Sequence, residues 1–313
     1  FLTINGEGIT NISGTLYADK TVVNLEKFEF DEEQGGHYMA RAGMSTVGDK
    51  RLFGTLQVTN GRVSNLLSLL GKPVDKLDGS LSGTVDLGGT YGNPSLNVVG
   101  SIKDVTIDTK VVGDAKIDAS LENRKFKIRT LKLPVDDGLI AAGGTVDLDG
   151  DADLQIAVRD VDIEPFLPLI GDNINATGSI TGVINMTGAT KNPKVELSAS
   201  LANGSYNGID IDQGFVLATM ENHVINVQRI QGVKEDYKLS AYGKIPLAAL
   251  YTTGYLDAND SKAMDMTIDF NEADMAVIPL ITPTVKDATG ALKGVVHVTG
   301  TIDQPEAYGT VSC

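Results

Sequence analysis

The chain has 313 residues, with 41 Asp or Glu against 26 Lys or Arg, a formal net charge of −15, 35 Gly, 1 Cys and no Trp. An apolar share of 42% is too high for a disordered acidic chain, and the charge is opposite to the basic footprint a nucleic-acid binder needs. The lone Cys313 excludes an internal disulfide and a cysteine-based zinc site, and no run of about 18 apolar residues offers a membrane-spanning helix.

The chain opens at Phe1 without a signal peptide and reads as a segment of something longer. Residues 1–60 read as a partial repeat, in which GITNISGTL (Gly8 to Leu16) is similar to part of a motif that becomes plain further on. Asn60-Gly61 is a tight-turn signal. VSNLLSLLG (Val63 to Gly71) then has helical character, and the motif follows as GSLSGTVDLGGTYGNPSL (Gly79 to Leu96).

Strict alternation takes over next. Ile117, Ala119 and Leu121 alternate with Lys116, Asp118 and Ser120, and Phe126 and Ile128 with Lys125, Lys127 and Arg129. A turn is expected at Asp137-Gly138 and another within DLDGDAD (Asp147 to Asp153). Ala152, Leu154, Ile156 and Val158 continue the alternation. EPFLPLIG (Glu164 to Gly171) is a second short helix, followed by the second motif copy, GSITGVINMTGATKNPKV (Gly178 to Val195). Val195, Leu197, Ala199 and Leu201 alternate up to a turn signal at Asn203-Gly204, and Tyr237, Leu239 and Ala241 alternate again. MAVIPLITP (Met275 to Pro283) is a third apolar helix, and GALKGVVHVTGTIDQPEA (Gly290 to Ala307) is the third copy.

The copies repeat three glycines, a proline and the amide before it. These are Gly79, Gly83, Gly89, Asn93 and Pro94; Gly178, Gly182, Gly188, Asn192 and Pro193; and Gly290, Gly294, Gly300, Gln304 and Pro305. They divide the chain into 1–60 as a partial repeat, 61–160 and 161–270 as two repeat units, and 271–313 as a truncated third. Period-two alternation means strands with one apolar and one wet face, hence an antiparallel sheet. The expectation is an all-β chain of roughly 20–25 strands. It is an elongated, curled, mainly antiparallel sheet built from ~100-residue repeats with short helices between them.

Chemistry is sparse. His37, His223 and His297 are far apart in metal-ligand terms, and His297 sits where the other copies have Asp86 and Asn185, so it reads as a solvated-face residue. DLDGDAD lacks the glycine and glutamate spacing of a calcium loop. No catalytic, metal or cofactor site is expected, and the chain reads as a non-enzyme. The residues that repeat are apolar: Leu81, Val85 and Leu87; Ile180, Ile184 and Met186; Leu292, Val296 and Val298. With Ile117, Leu121, Leu154, Ile156, Val158 and Leu197 they are the candidate lining of a hydrophobic groove.

The pattern GxLxGxVxLxG, a polar pair, then NP or QP and a new alternating strand resembles the TamB family of AsmA-like envelope proteins in diderm bacteria. The resemblance covers roughly Gly61 to Cys313. It implies a β-taco, a long curled sheet whose groove carries phospholipid acyl chains between inner and outer membrane. It also implies a periplasmic location, an inner-membrane anchor outside this segment and an outer-membrane partner of the Omp85 type that links the chain to outer-membrane protein assembly. The family brings no catalytic residues. The alternatives are a structural or adhesive β-solenoid with a dry core, and an enzyme on a β-helix scaffold, for which clustered Asp, Arg, Lys or His would be needed. Cys313 receives no role.

Overall fold

Alternating sequence becomes strand wherever the apolar residues can share one face, and nearly every alternating run does so here. The computed structural model describes residues 2–4, 7–33, 35–69, 76–170, 175–250, 261–275, 290–301 and 304–312. The strands are β1 (Leu2–Ile4), β2 (Glu7–Ala18), β3 (Val22–Glu32), β4 (His37–Ser45) and β5 (Leu52–Arg62). Helix α1 (Val63–Leu69) precedes β6 (Leu77–Thr90), β7 (Asn93–Ile107), β8 (Lys110–Glu122), β9 (Lys125–Val135), β10 (Gly138–Asp147) and β11 (Asp151–Asp162). A 3₁₀ turn (Glu164–Phe166) and α2 (Leu167–Ile170) lead to β12 (Ala176–Ala189), β13 (Lys194–Tyr206), β14 (Ile209–Glu221), β15 (Val224–Lys234) and β16 (Tyr237–Pro246). After α3 (Leu247–Leu250) come β17 (Met264–Asp274), β18 (Ala291–Gly300) and β19 (Pro305–Ser312).

The chain is all-β and antiparallel, and it divides into two compact units: Phe1–Ile156 with Pro168–Asp172, and Ala157–Leu167 with Asn173–Cys313. In the first unit each strand from β1 to β10 pairs antiparallel with the next in sequence. In the second unit the same holds from β12 to β19. Sequence-adjacent pairing needs only short turns: one falls within Asp147 to Asp153 as expected, at Leu148–Gly150, and the one expected at Asp137-Gly138 falls one residue earlier, at Asp136-Asp137.

Two expected turns are not turns. Asn60-Gly61 lies inside β5 and Asn203-Gly204 inside β13. Asn60 and Asn203 adopt the left-handed conformation, φ 54° and 50°, and the register slips beside each of them. The same local preference that makes Asn-Gly a hairpin signal here makes a β-bulge, because the strand continues on the far side. Strands therefore run longer than anticipated, up to 15 residues in β7, and nineteen are described where roughly 20–25 were expected.

The first two expected helices are present as α1 and the 3₁₀ turn with α2. The third, Met275 to Pro283, lies outside the described residues beyond Met275, and α3 was not anticipated. The start of α1 is fastened by carboxylates. Asp78 accepts the Ser64 amide at 3.3 Å and pairs with the Arg62 guanidinium. Glu32 is only 4% exposed, yet fully used. It takes the Tyr38 hydroxyl, the Arg62 amide at 3.1 Å and the Asn65 side chain at 3.3 Å. Burial, followed by the bond to Glu32, pushes the Tyr38 phenol upward, so that it remains a donor. Phe30 stacks on the Tyr38 ring with centroids 4.6 Å apart, which joins β3 to β4.

The turn between β2 and β3 is organised by Asp19. Its carboxylate accepts the Thr21 amide at 2.6 Å, the Thr21 hydroxyl at 2.7 Å, the Val22 amide at 2.9 Å and the Tyr17 hydroxyl at 2.9 Å. These donors, the Thr21 amide first, lower its pKa from 3.8 to about 2.

Two tests follow from these ties. Glu32→Ala strands three donors, two of them buried, and is expected to destabilise by about 3 kcal/mol in urea unfolding, against about 1 kcal/mol for Tyr38→Phe. A lowered carboxylate pKa means that the Asp19 turn contributes fully above the ordinary value of 3.8 and loses its contribution as pH falls through about 2. NMR titration should place the Asp19 midpoint near 2, with the Thr21 amide losing exchange protection over the same range.

Candidate functional site

The motif copies begin β6, β12 and β18, six strands apart in chain order. GITNISGTL lies in β2, four strands before β6 and so out of step with that spacing. Each part of the motif has a geometric task. The first glycines, Gly79, Gly178 and Gly290, have φ of 155°, 125° and 124°. A Cβ on Gly178 would lie 2.7 Å from the Gly204 Cα, so no side chain fits. The third glycines, Gly89, Gly188 and Gly300, sit at φ 76–82° and turn the chain into the next strand.

The bulges belong to the repeat as well. Asn60, Asp160 and Glu272 are left-handed residues at φ 54°, 49° and 57° in the strand before each copy. Asp104 and Asn203, at φ 52° and 50°, occupy the strand after the first two. The fourth motif residue holds the preceding left-handed residue in all three copies. The Asn60 amide donates to the Ser82 hydroxyl at 2.9 Å, and the Asp160 amide donates to the Thr181 hydroxyl at 2.9 Å. In the third copy Lys293 forms an ion pair with Glu272 at 2.6 Å. The contact survives a complete change of chemistry. The amide before the proline also has a partner: Asn93 donates to Asn123 and Asn192 to Asn222, both at 2.7 Å. Asn123-Arg124 and Asn222-His223 are hairpin turns with both residues left-handed.

This scaffold brings the candidate apolar residues into rows that cross the strands. In the first unit Leu87 faces Leu96, which faces Leu121, Phe126 and Val146 in turn. Beside it run Leu56, Val85, Val98, Ala119 and Ile128. Leu81 faces Ile102, and Ile117 faces Leu131. In the second unit Met186 faces Val195, and Ile184 faces Leu197, Ala218 and Val227 in turn. Ile180 faces Leu201, while Val298 and Val296 face Met266 and Ile268. On β11, Leu154 and Ile156 belong to the first unit and Val158 to the second.

Fourteen of the fifteen candidates are half-buried, so each keeps part of its surface open. Leu292 differs: it is 4% exposed and packs into a closed cluster with Phe270 and Ala273. Sequence reasoning missed the row partners Leu96, Val98, Phe126 and Val146. Their alternation was visible, but which residue faces which depends on register and bulges. In the second unit the apolar surface deepens to a cavity of about 210 Å³ lined by Tyr206, Ile211, Val233, Tyr237, Leu239 and Ala273, with Asp210, Lys234 and Lys238 also on its walls.

The polar groups form no reactive constellation among the described residues, and no cluster of three or more His, Cys, Asp or Glu is arranged to hold a metal there. His37 bonds Asp31 at 2.6 Å. His297 lies on the wet side as expected, but it is half-buried, bonded to Thr267 at 3.1 Å and stacked on Tyr308. The Asp147 to Asp153 stretch is a turn in which Asp149 pairs with Arg124. No helix among the described residues is long and apolar enough to cross a membrane.

No family model matches the chain, and neither the curated proteins nor the solved structures contain a match.

The bulge contact gives a direct test of the repeat. Glu272→Asn and Lys293→Ser should each lower the urea midpoint. The double variant, which installs the Asn60–Ser82 pairing in the third copy, should recover most of the loss.

Proposed function

We propose that this chain is a periplasmic segment of a TamB-like bridge that carries phospholipid between inner and outer membrane. The observation that supports this reading best is the set of half-open apolar rows that run from strand to strand within each unit. Transfer of a lipid through water exposes its acyl chains at about 0.8 kcal/mol per CH₂, or roughly 12 kcal/mol for a 16-carbon chain. A face of Val, Ile and Leu offsets that cost at every step. It does so without polar contacts that would pin the lipid at one place, and the rows contain none. The inner-membrane anchor and an Omp85-type partner in outer-membrane protein assembly belong to the same proposal, and its family likeness rests on the repeated motif residues.

A structural β-solenoid with a dry core is the rival. The buried cluster of Phe270, Ala273 and Leu292 favours it, as do the row members Ala119, Ala218, Val227 and Met266, which are closed off from solvent.

Extraction and mass spectrometry of lipid from the purified chain separate the two. Phospholipid should accompany the wild type and fall at least tenfold in the Val85→Asp, Ile184→Asp variant with its β circular dichroism intact. Absence of lipid from the wild type, or equal lipid in both, would overturn the proposal.

A further inference from the structure

The wet side of the first unit carries a charge pattern that the lipid reading does not use. Lys116 on β8 stands directly opposite Lys132 on β9. Ser101 is opposite Lys116 and Ser80 opposite Lys103, which places Lys103 two residues along β7 on the diagonal from Lys116. Lys127 lies further along β9, between Ser120 and Thr145. All four lysines are exposed, and none forms an ion pair with a described residue. Like charges directly opposite on a sheet face are destabilising. They are also out of character here, because the chain as a whole carries −15.

Of the acids nearby, two are engaged, two lie to one side, and the exposed Asp104 adjoins Lys103 at the edge of the patch. Asp118 is held by Arg129 at 2.7 Å, and Asp114 accepts the Asp104 amide at 2.9 Å. Glu122 and Asp147 flank Lys125, at the far end of the patch from Lys132. From Lys125 to Val135, β9 contains four cations and no acid. The hydroxyls of Ser80, Ser101, Ser120 and Thr145 sit among the ammonium groups, so the surface is rich in donors for carboxylate oxygens.

We propose that the wet face of β7, β8 and β9 is a docking surface for an extended acidic segment of a partner protein. The size of the patch favours a slender partner. Three strands span about 10 Å, close to the Debye length of about 8 Å at physiological salt. A bilayer would extend past this width and meet the acidic surroundings as well. An extended chain fits within it, and acids at every second position recur at ~6.7 Å, within reach of flexible lysine stems. The surface lies on the opposite side of the strands from the apolar rows, so it stands or falls independently of lipid transfer.

The test uses fluorescence anisotropy with a fluorescein-labelled peptide of alternating Glu and Ser. The whole chain should bind it at low salt, lose it at 0.5 M NaCl, and bind at least tenfold more weakly as the Lys116→Glu, Lys132→Glu variant. Lys191→Glu, in a turn of the second unit, should leave binding unchanged. Lys116→Gln removes the repulsion conservatively, so it should raise the melting temperature while weakening binding. Vesicles of phosphatidylcholine and phosphatidylglycerol (3:1) should not sediment the chain through these lysines. The proposal is overturned by no peptide binding, by equal binding in the Lys116→Gln variant, or by vesicle binding that Lys116→Gln abolishes.

Discussion

The structure depends on a local backbone constraint: one residue near the end of a strand adopts the left-handed conformation while the ladder continues past it. Such a bulge adds a residue to one strand and changes which side the following residues occupy. Unless its neighbours accommodate it, the apolar residues beyond it would turn to the wet face. The first motif glycine is that accommodation. Gly178 lies against the Gly204 backbone, near the left-handed residues Asp160 and Asn203, where any Cβ would collide. The repeat preserves a register as well as a set of residues.

This explains why the copies differ in chemistry and agree in geometry. Asn60 with Ser82, Asp160 with Thr181 and Glu272 with Lys293 are an amide and a hydroxyl, an acid and a hydroxyl, and an ion pair. Each ties the bulged residue to the fourth position of the motif. The Asn93–Asn123 and Asn192–Asn222 bonds tie successive turns in the same way. With both ends of the strands fixed, the middle can be filled by aliphatic residues chosen for surface rather than for a particular fit. The result is a face of repeated Val, Ile and Leu with little polar interruption.

The same strands present a second, independent surface. Alternation assigns every other residue to the wet side, where most of the chain shows acids and hydroxyls. The row through Lys116 and Lys132 departs from that rule, with two cations opposed across a strand pair. The apolar side holds no such specific arrangement. The division of labour is therefore between a repetitive face and a localised one.

Much of this was legible in the residues. Alternation in stretches such as Lys116–Leu121 and Val195–Leu201 determined that the chain is antiparallel sheet, because only a strand places every second side chain on one face. The glycines and prolines marked the repeat. Asn60-Gly61 and Asn203-Gly204 signal turns but form bulges, since the left-handed preference of the dipeptide is the same in a hairpin and in a bulge. Only the fold decided between them, because only it shows that a neighbouring strand continues the ladder beyond. For the same reason the sequence by itself could name Val85 and Ile184 as apolar-face residues but not their partners Val98 and Leu197. It showed charges on β8 and β9 but not that Lys116 meets Lys132. Register is a relation between strands, settled by bulges and by the bonds that hold them, and no single strand contains it.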